Sequence, residues 1–384
     1  MARAPVSKSP KLKPVVAKTP ASTKKPAAKK SNAKLEMIPA AVNSMIEAAA
    51  KSNRKTSAAK KTRALKSAPK STILESPQTK AETGLENKLA SQPPKALRSP
   101  IKVFQMHSEA WQRELLDPAF YPLDVSRVNA ESLELTVCNQ LANNKAIEGA
   151  TLWGAISWRF TERTGMQGRD WVKQIEEHPG ADVYFCNPKP ENEVVFHNPW
   201  LEGETLQPRF IEVAQTFLLA TGMSETEVNS IYPSSTVAGG GYMVGTSAFW
   251  KLYIPFVQKL MKTADQKMPP AIRDLLHSPV ADESGKQTGA TYLTLIVERL
   301  LPVFMRTEGK SLKAYKIALP ERERELNVHQ KLLREMKDVA HRTQSAWLGA
   351  CWVNYRNLYL GQTQGKVWCQ KYLRLITPTE IKFA

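Results

Sequence analysis

Two apolar runs, Thr151-Leu152-Trp153-Gly154-Ala155-Ile156-Ser157-Trp158 and Asp182-Val183-Tyr184-Phe185-Cys186, with the segment Asp170 to His178 between them, decide the fold class. Both runs are short and rich in β-branched or aromatic residues, the composition of strands. The segment between them reads as a short helix, with Asp170 as its N-cap and Pro179-Gly180 as its stop. Upstream, Lys102-Val103-Phe104-Gln105-Met106 predicts a first strand. Downstream, the pattern predicts a helix from Arg209 to Thr221, ended by Gly222, then a strand Tyr242-Met243-Val244 entering a helix from Ser247 to Lys262. Tyr292 to Met305 reads as one apolar helix containing Glu298 and Arg299, and Ala314 to Leu319 as a late strand. Strands alternating with helices predict an α/β layer structure. From Glu321 the chain reads as helical, and Leu333, Met336, Ala340, Thr343, Trp347 and Ala350 recur every three or four residues as one buried stripe.

Charge divides the chain. It carries 54 Lys+Arg and 36 Asp+Glu, formally +18; residues 1–100 hold 22 basic and 5 acidic residues, leaving 32 and 31 for the rest. A fold that itself grips a polyanion keeps its basic excess in the folded part, and here that part is close to neutral. All aromatic residues follow residue 100, beginning at Phe104. A Lys/Pro/Ala-rich segment without aromatics cannot bury enough apolar area to offset its ordering entropy, so residues 1–100 are expected to be a disordered basic tail. A short helical spacing within it (Leu35, Ile38, Val42, Met45, Ile46, Ala49) reads as a transient linker helix or a docking helix for a partner or membrane surface. The tail's charge suits weak, salt-sensitive attraction to an anionic partner, nucleic acid or lipid head groups. The expected domains are the tail at 1–100, an α/β domain at 101–320, and a helical segment at 321–384 packing on it or forming a dimer surface.

Cys138, Cys186, Cys351 and Cys369 are widely spaced and form no CxxC pair, so a reducing cytoplasm is the expected compartment, with attachment to the inner membrane surface as the variant. Several enzyme classes drop out. Ser284-Gly285-Lys286-Gln287-Thr288 lacks the upstream glycine and adjacent hydroxyl of a phosphate loop, and Gly239-Gly240-Gly241 precedes a strand instead of following one. There is no HExxH and no GxSxG.

Three stretches together resemble a family of bacterial glycosyltransferase-like proteins associated with polysaccharide biosynthesis. They are Val103-Phe104-Gln105-Met106 with Leu116 to Asp124; Trp153 to Gly165 feeding Ala181 to Pro188; and Gly241 to Trp250 with Val297-Glu298-Arg299-Leu300. The resemblance spans residues 102–320. It implies a GT-A-like fold, a Rossmann-like mixed sheet flanked by helices that binds a sugar nucleotide along the carboxyl edge, and a glycan acceptor as the second substrate. Such enzymes commonly hold a divalent metal with an Asp-x-Asp pair. This sequence has none, so no metal ligands are assigned, and Arg or Lys side chains are the expected partners of the diphosphate.

On that basis Asp182, His197 and Glu298 are the catalytic candidates, because an acceptor hydroxyl needs a carboxylate or imidazole base. Arg159, Asn187, Lys189, Asn198, Trp200, Gly240 and Tyr242 are the substrate-binding candidates. Phe196-His197-Asn198-Pro199-Trp200 combines aromatic and amide groups that suit a sugar ring. Each has a plainer account: Asp182 as a cap of the Pro179-Gly180 turn, Arg159 in a surface ion pair, His197 as a satisfied core histidine, Glu298 paired with Arg299. The class-different alternatives are a non-enzymatic glycan- or partner-binding protein and a nonspecific nucleic-acid binder acting through the tail.

Overall fold

The computed structural model describes residues 100–128, 130–224, 226–281 and 287–384. The expected tail and its short helical stretch lie outside the described residues, apart from Pro100.

Among the described residues there are eight strands: β1 (Ile101–His107), β2 (Tyr121–Asp124), β3 (Leu152–Ser157), β4 (Val183–Phe185), β5 (Met243–Gly245), β6 (Pro279–Ala281), β7 (Gln287–Thr291) and β8 (Ala314–Lys316). Six form one mixed sheet in the order β2-β1-β3-β5-β4-β8, and β6 pairs with β7 in a separate antiparallel ladder. β1 runs parallel to β2 and β3, and β4 parallel to β8, while β5 is antiparallel to both β3 and β4. The molecule is therefore mixed α/β, with helices on both faces of the sheet.

The strands are short and continuously apolar because both of their faces are covered. Phe104, Trp153, Ala155, Phe185 and Met243 point into one core, built with the helices Phe210–Ala220, Ser247–Lys267 and Leu300–Arg306. Val103, Ile156, Tyr184 and Val244 point into the other, under Phe160, Trp171 and Ile175. Gly154 lets β5 cross close to β3, since a Cβ there would lie 2.4 Å from the Met243 carbonyl oxygen. Trp250 fixes the long helix to the sheet by donating its Nε1–H to the Trp153 carbonyl at 2.8 Å while the two indoles stack.

Four local expectations need correction. Gln167, not Asp170, occupies the N-cap of the helix Gly168–Glu177, and Asp170 sits in its first turn. Arg209 precedes its helix with φ 64° instead of opening it. The segment 292–305 is two helices, Tyr292–Val297 and Leu300–Arg306. Pro302 has no N–H to give the Glu298 carbonyl, so the ladder breaks there and Glu298-Arg299 becomes a corner. The C-terminal stripe is likewise split. The helices Val328–Thr343 and Ala346–Thr363 are separated at Gln344, which has φ 52°. Leu333 and Ala340 are fully buried, but Trp347 beyond the break is 73% exposed. The first of these helices packs against Pro190–Val195 through Lys337, whose Nζ donates to the Glu193 and Phe196 carbonyls at 2.6 and 2.7 Å. No helix among the described residues is long and apolar enough to cross a membrane.

Candidate functional site

Open α/β sheets bind ligands where the strand carboxyl ends leave a crevice between diverging connections. That edge carries a cavity of about 340 Å³ here. Ser157, Arg159 and Arg163 enter it from the end of β3, and Asn187 and Lys189 from the end of β4. Because β5 runs the other way, its leading residues Gly239, Gly240 and Tyr242 reach the same edge. Glu134, Glu202, Glu298 and Arg299 close the far side.

The cationic wall is held unevenly. Arg159 is paired with Glu162 at the surface, Nη2 to Oε1 at 2.5 Å, and lies over the Trp158 ring. Arg163 follows one turn later, and neither its guanidinium nor the Lys189 ammonium has a hydrogen-bond or ion-pair partner among the described residues. Arg299 is 8% exposed yet faces no carboxylate in an ion pair. Its Nε and Nη1 donate to the Pro199 and Leu295 carbonyls at 2.9 and 2.7 Å, and its guanidinium sits over the Phe210 ring. Neutral acceptors and an aromatic face fix the group without neutralising its charge, so its field is directed at the cavity.

Three carboxyls, Glu134, Glu202 and Glu298, share the lining with these cations. Glu298 is surrounded by protein except where it opens onto the cavity, and burial, followed by repulsion from Glu134, pushes its pKa up to about 7. It forms no ion pair with Arg299, whose guanidinium is committed to the Pro199 and Leu295 carbonyls. Burial also raises the Glu134 pKa above the ordinary carboxyl range. The segments that carry Glu134 and Glu298 are stapled together through Glu131: its Oε1 accepts from the Thr291 hydroxyl at 2.5 Å and its carbonyl from the Thr294 hydroxyl at 2.6 Å.

The glycine loop supplies backbone. Gly240 and Gly241 have φ of 65° and 66°, the left-handed region that glycine enters without a Cβ clash. Their N–H groups have no partner among the described residues. Asn187 shapes the neighbouring turn, its Oδ1 accepting from the Lys189 N–H at 3.1 Å and its Nδ2 donating to Glu193 at 2.9 Å.

Of the sequence candidates, Arg159, Asn187, Lys189, Gly240, Tyr242 and Glu298 line this cavity. Asp182, His197, Asn198 and Trp200 do not. Asp182 lies at the start of β4, the opposite end from the cavity, where its Oδ2 accepts from the Lys313 N–H at 2.8 Å and ties down β8. His197 is fully buried. Its Nδ1 accepts from Arg356 Nη1 at 3.0 Å and its ring meets Trp352 edge-on. Burial, with Arg356 and Lys337 nearby, holds it well below the ordinary histidine pKa, so it is a neutral core group. Asn198 caps the helix Pro199–Leu206 by accepting from the Leu201 N–H, and its amide donates to the Val228 and Ser230 carbonyls. Trp200 is fully buried against Tyr232. The dense polar and aromatic loop at 196–201 is a packed core corner.

Glu134, Arg163, Glu202, Gly239 and Arg299 join the site beyond those candidates. For Arg163 a signal existed: Arg159 and Arg163 stand four apart after a strand, the spacing that places two side chains on one helix face. Glu134 had none, since only the fold brings its helix, Leu133–Ala142, to this edge. The cavity does not suit a divalent metal: its β3 edge presents Arg159 and Arg163, and no group of three or more His, Cys, Asp or Glu side chains that could hold a metal ion occurs among the described residues. No protein-family model, curated protein or solved structure matches this chain.

Proposed function

We propose that the domain is a metal-independent glycosyltransferase of the GT-A type, moving a sugar from a nucleoside diphosphate to a hydroxyl of a glycan or glycoconjugate. The reading rests on one observation. A single cavity at the carboxyl edge of the sheet brings cations that lack ion-pair partners among the described residues together with a half-buried carboxyl whose pKa lies near neutrality. Arg163, Lys189 and Arg299 suit the two phosphates, with Arg159 at the rim and the free amides of Gly240 and Gly241 adding donors. As the acceptor oxygen bonds to the anomeric carbon, the bond from that carbon to the phosphate oxygen breaks, and its electron pair leaves with the nucleoside diphosphate. The cations stabilise that developing charge. Glu298, ionised, takes the acceptor's proton.

Thermal shift and calorimetry with nucleoside diphosphates and their sugar conjugates, with and without EDTA, test this. Binding at a hundredfold excess over Kd stabilises a fold by about 2.7 kcal/mol, and EDTA should leave the shift in place. Loss of the whole shift on chelation overturns the metal-free assignment. Binding of conjugates without any transfer to added acceptors turns the domain into a glycan- or nucleotide-sensing protein. The absence of any nucleotide effect removes the proposal.

A further inference from the structure

A second, smaller chamber adjoins the cavity: Glu134 and Glu298 line both, and Gly241 lines the chamber where Gly239 and Gly240 line the cavity. About 40 Å³ of it is open, against roughly 10–15 Å³ for one water, so it holds a group of about three or four heavy atoms. Its walls are apolar: Leu135, Cys138, Ala155, Met243, Trp250 and Val297. Burial pushes the Cys138 thiol up to about 12, so it stays a neutral wall group.

Two hydroxyls in this wall lack partners. Ser132 stands at the N-cap of Leu133–Ala142, the position where a serine normally caps the helix, yet its side chain makes no cap bond. It is 5% exposed, and its Oγ is buried with no hydrogen-bond partner among the described residues. The Tyr253 hydroxyl is also without a partner among the described residues, on a side chain 3% exposed. A buried polar group left unpaired costs about 1–3 kcal/mol, and one that lines a chamber beside a ligand cavity has its missing partner in the ligand. The chamber thus offers donors to a carbonyl oxygen, an apolar seat for a methyl group, and carboxyls at its mouth that accept an amide N–H. That set of contacts matches one sugar substituent.

We propose that this chamber is an acetamido subsite, and that the sugar handled here carries an N-acetyl group. The inference rests on the sugar-nucleotide reading of the adjoining cavity. Within it, the acetamido N–H meets Glu134, its carbonyl oxygen meets Ser132 or Tyr253, and its methyl packs on Ala155, Met243 and Trp250.

Saturation-transfer NMR and calorimetry on the full chain test it, with uridine diphosphate, UDP-glucose, UDP-N-acetylglucosamine, glucose and N-acetylglucosamine as probes. The expected result is strongest saturation on the acetamido methyl and binding of UDP-N-acetylglucosamine about tenfold or more tighter than UDP-glucose. Ala155→Val, which fills the chamber, and Ser132→Ala, which deletes one donor, should shrink that preference while uridine diphosphate binds as before; the retained nucleotide affinity shows that each variant folds. Equal affinity for the two conjugates overturns the subsite and leaves the transferase reading standing. N-acetylglucosamine binding with a saturated methyl, without any nucleotide binding, keeps the subsite and removes the nucleotide. No binding by any probe overturns both.

Discussion

The cavity and the buried cluster beneath the C-terminal helices use similar residues to opposite ends. The cluster takes its charged side chains out of bulk water, whereas at the cavity Arg299 is buried, Lys189 and Glu298 are half-buried and Arg163 is exposed. In the cluster, Arg356 is fully buried, and its guanidinium donates to His197 Nδ1, the Ile376 carbonyl, the Thr377 hydroxyl and Asn357 Oδ1. Lys337, also fully buried, has its two carbonyl acceptors, and burial lowers its pKa to about 7. At the cavity, Lys189 and Arg163 have no partner among the described residues, and the Glu298 carboxyl has no hydrogen bond or ion pair. A buried charge whose hydrogen bonds are made within the chain holds the fold together. A partly exposed charge left unpaired next to open volume is available to a ligand. Removing groups from the first region should therefore cost stability, and removing groups from the second should cost function.

The largest contrast is expected at Glu298. Glu298→Gln should lower turnover by about two to four orders of magnitude, the usual weight of a general base, in a steady-state transfer assay. The same change should raise the melting temperature at pH 8. There the native carboxyl is ionised despite its raised pKa, a cost on the order of 1–3 kcal/mol that the amide does not carry. A variant that loses stability and keeps turnover would place Glu298 with the structural group.

Next in size, Arg356→Met should destabilise the fold by about 2–4 kcal/mol, because it strands several buried acceptors at once. The nucleotide affinity of the material that folds should not change. Chemical denaturation and calorimetry on the same preparation measure the two quantities. Reduced affinity at unchanged stability would dissolve the distinction between the regions.

Lys189→Ala should weaken nucleoside diphosphate binding by about tenfold, the value of one charge-assisted hydrogen bond. Its melting temperature should stay within a degree or so, since its ammonium supports nothing in the chain.

The pH profile of stability distinguishes the two regions by the sign of its slope. Glu298 keeps its proton in the folded state up to about pH 7 but loses it near pH 4.5 when unfolded. Its contribution to stability therefore falls as pH rises from about 4.5 to 7. Lys337 does the reverse. The unfolded chain holds more protons between its folded value of about 7 and 10.5, so its contribution rises across that window. The Glu298→Gln profile should lack only the acid limb of the wild-type profile, and a limb that persists in the variant would assign it to other groups.

Local chemistry carried the reading of the strands at 101–107, 152–157 and 183–185, whose apolar runs match the observed elements within a residue or two. It also placed Arg159, Asn187 and Lys189 at the cavity, because residues that follow parallel strands arrive at the same edge of the sheet, while Gly240 reaches that edge by leading into the antiparallel β5. Asp182 misled because it begins a strand, which puts it at the other edge. His197, Asn198 and Trp200 misled because a loop dense in aromatic and amide groups looks the same in sequence whether it meets a sugar or a tryptophan core. The deciding partner, Arg356, lies 159 residues away.

Composition alone separated a basic N-terminal segment from a near-neutral α/β domain, since charge and aromatic content are sums over the chain that need no coordinates. Short-range patterning set most of the helices and strands, since the periods of 2 and 3.6 are properties of the backbone. The long-range pairings were beyond it. Nothing local places Glu134 beside Glu298, runs β5 against its neighbours, or leaves Ser132 without a helix to cap. Those facts depend on which distant surfaces come together, and it is their packing that decides which buried charges are satisfied and which face an open cavity.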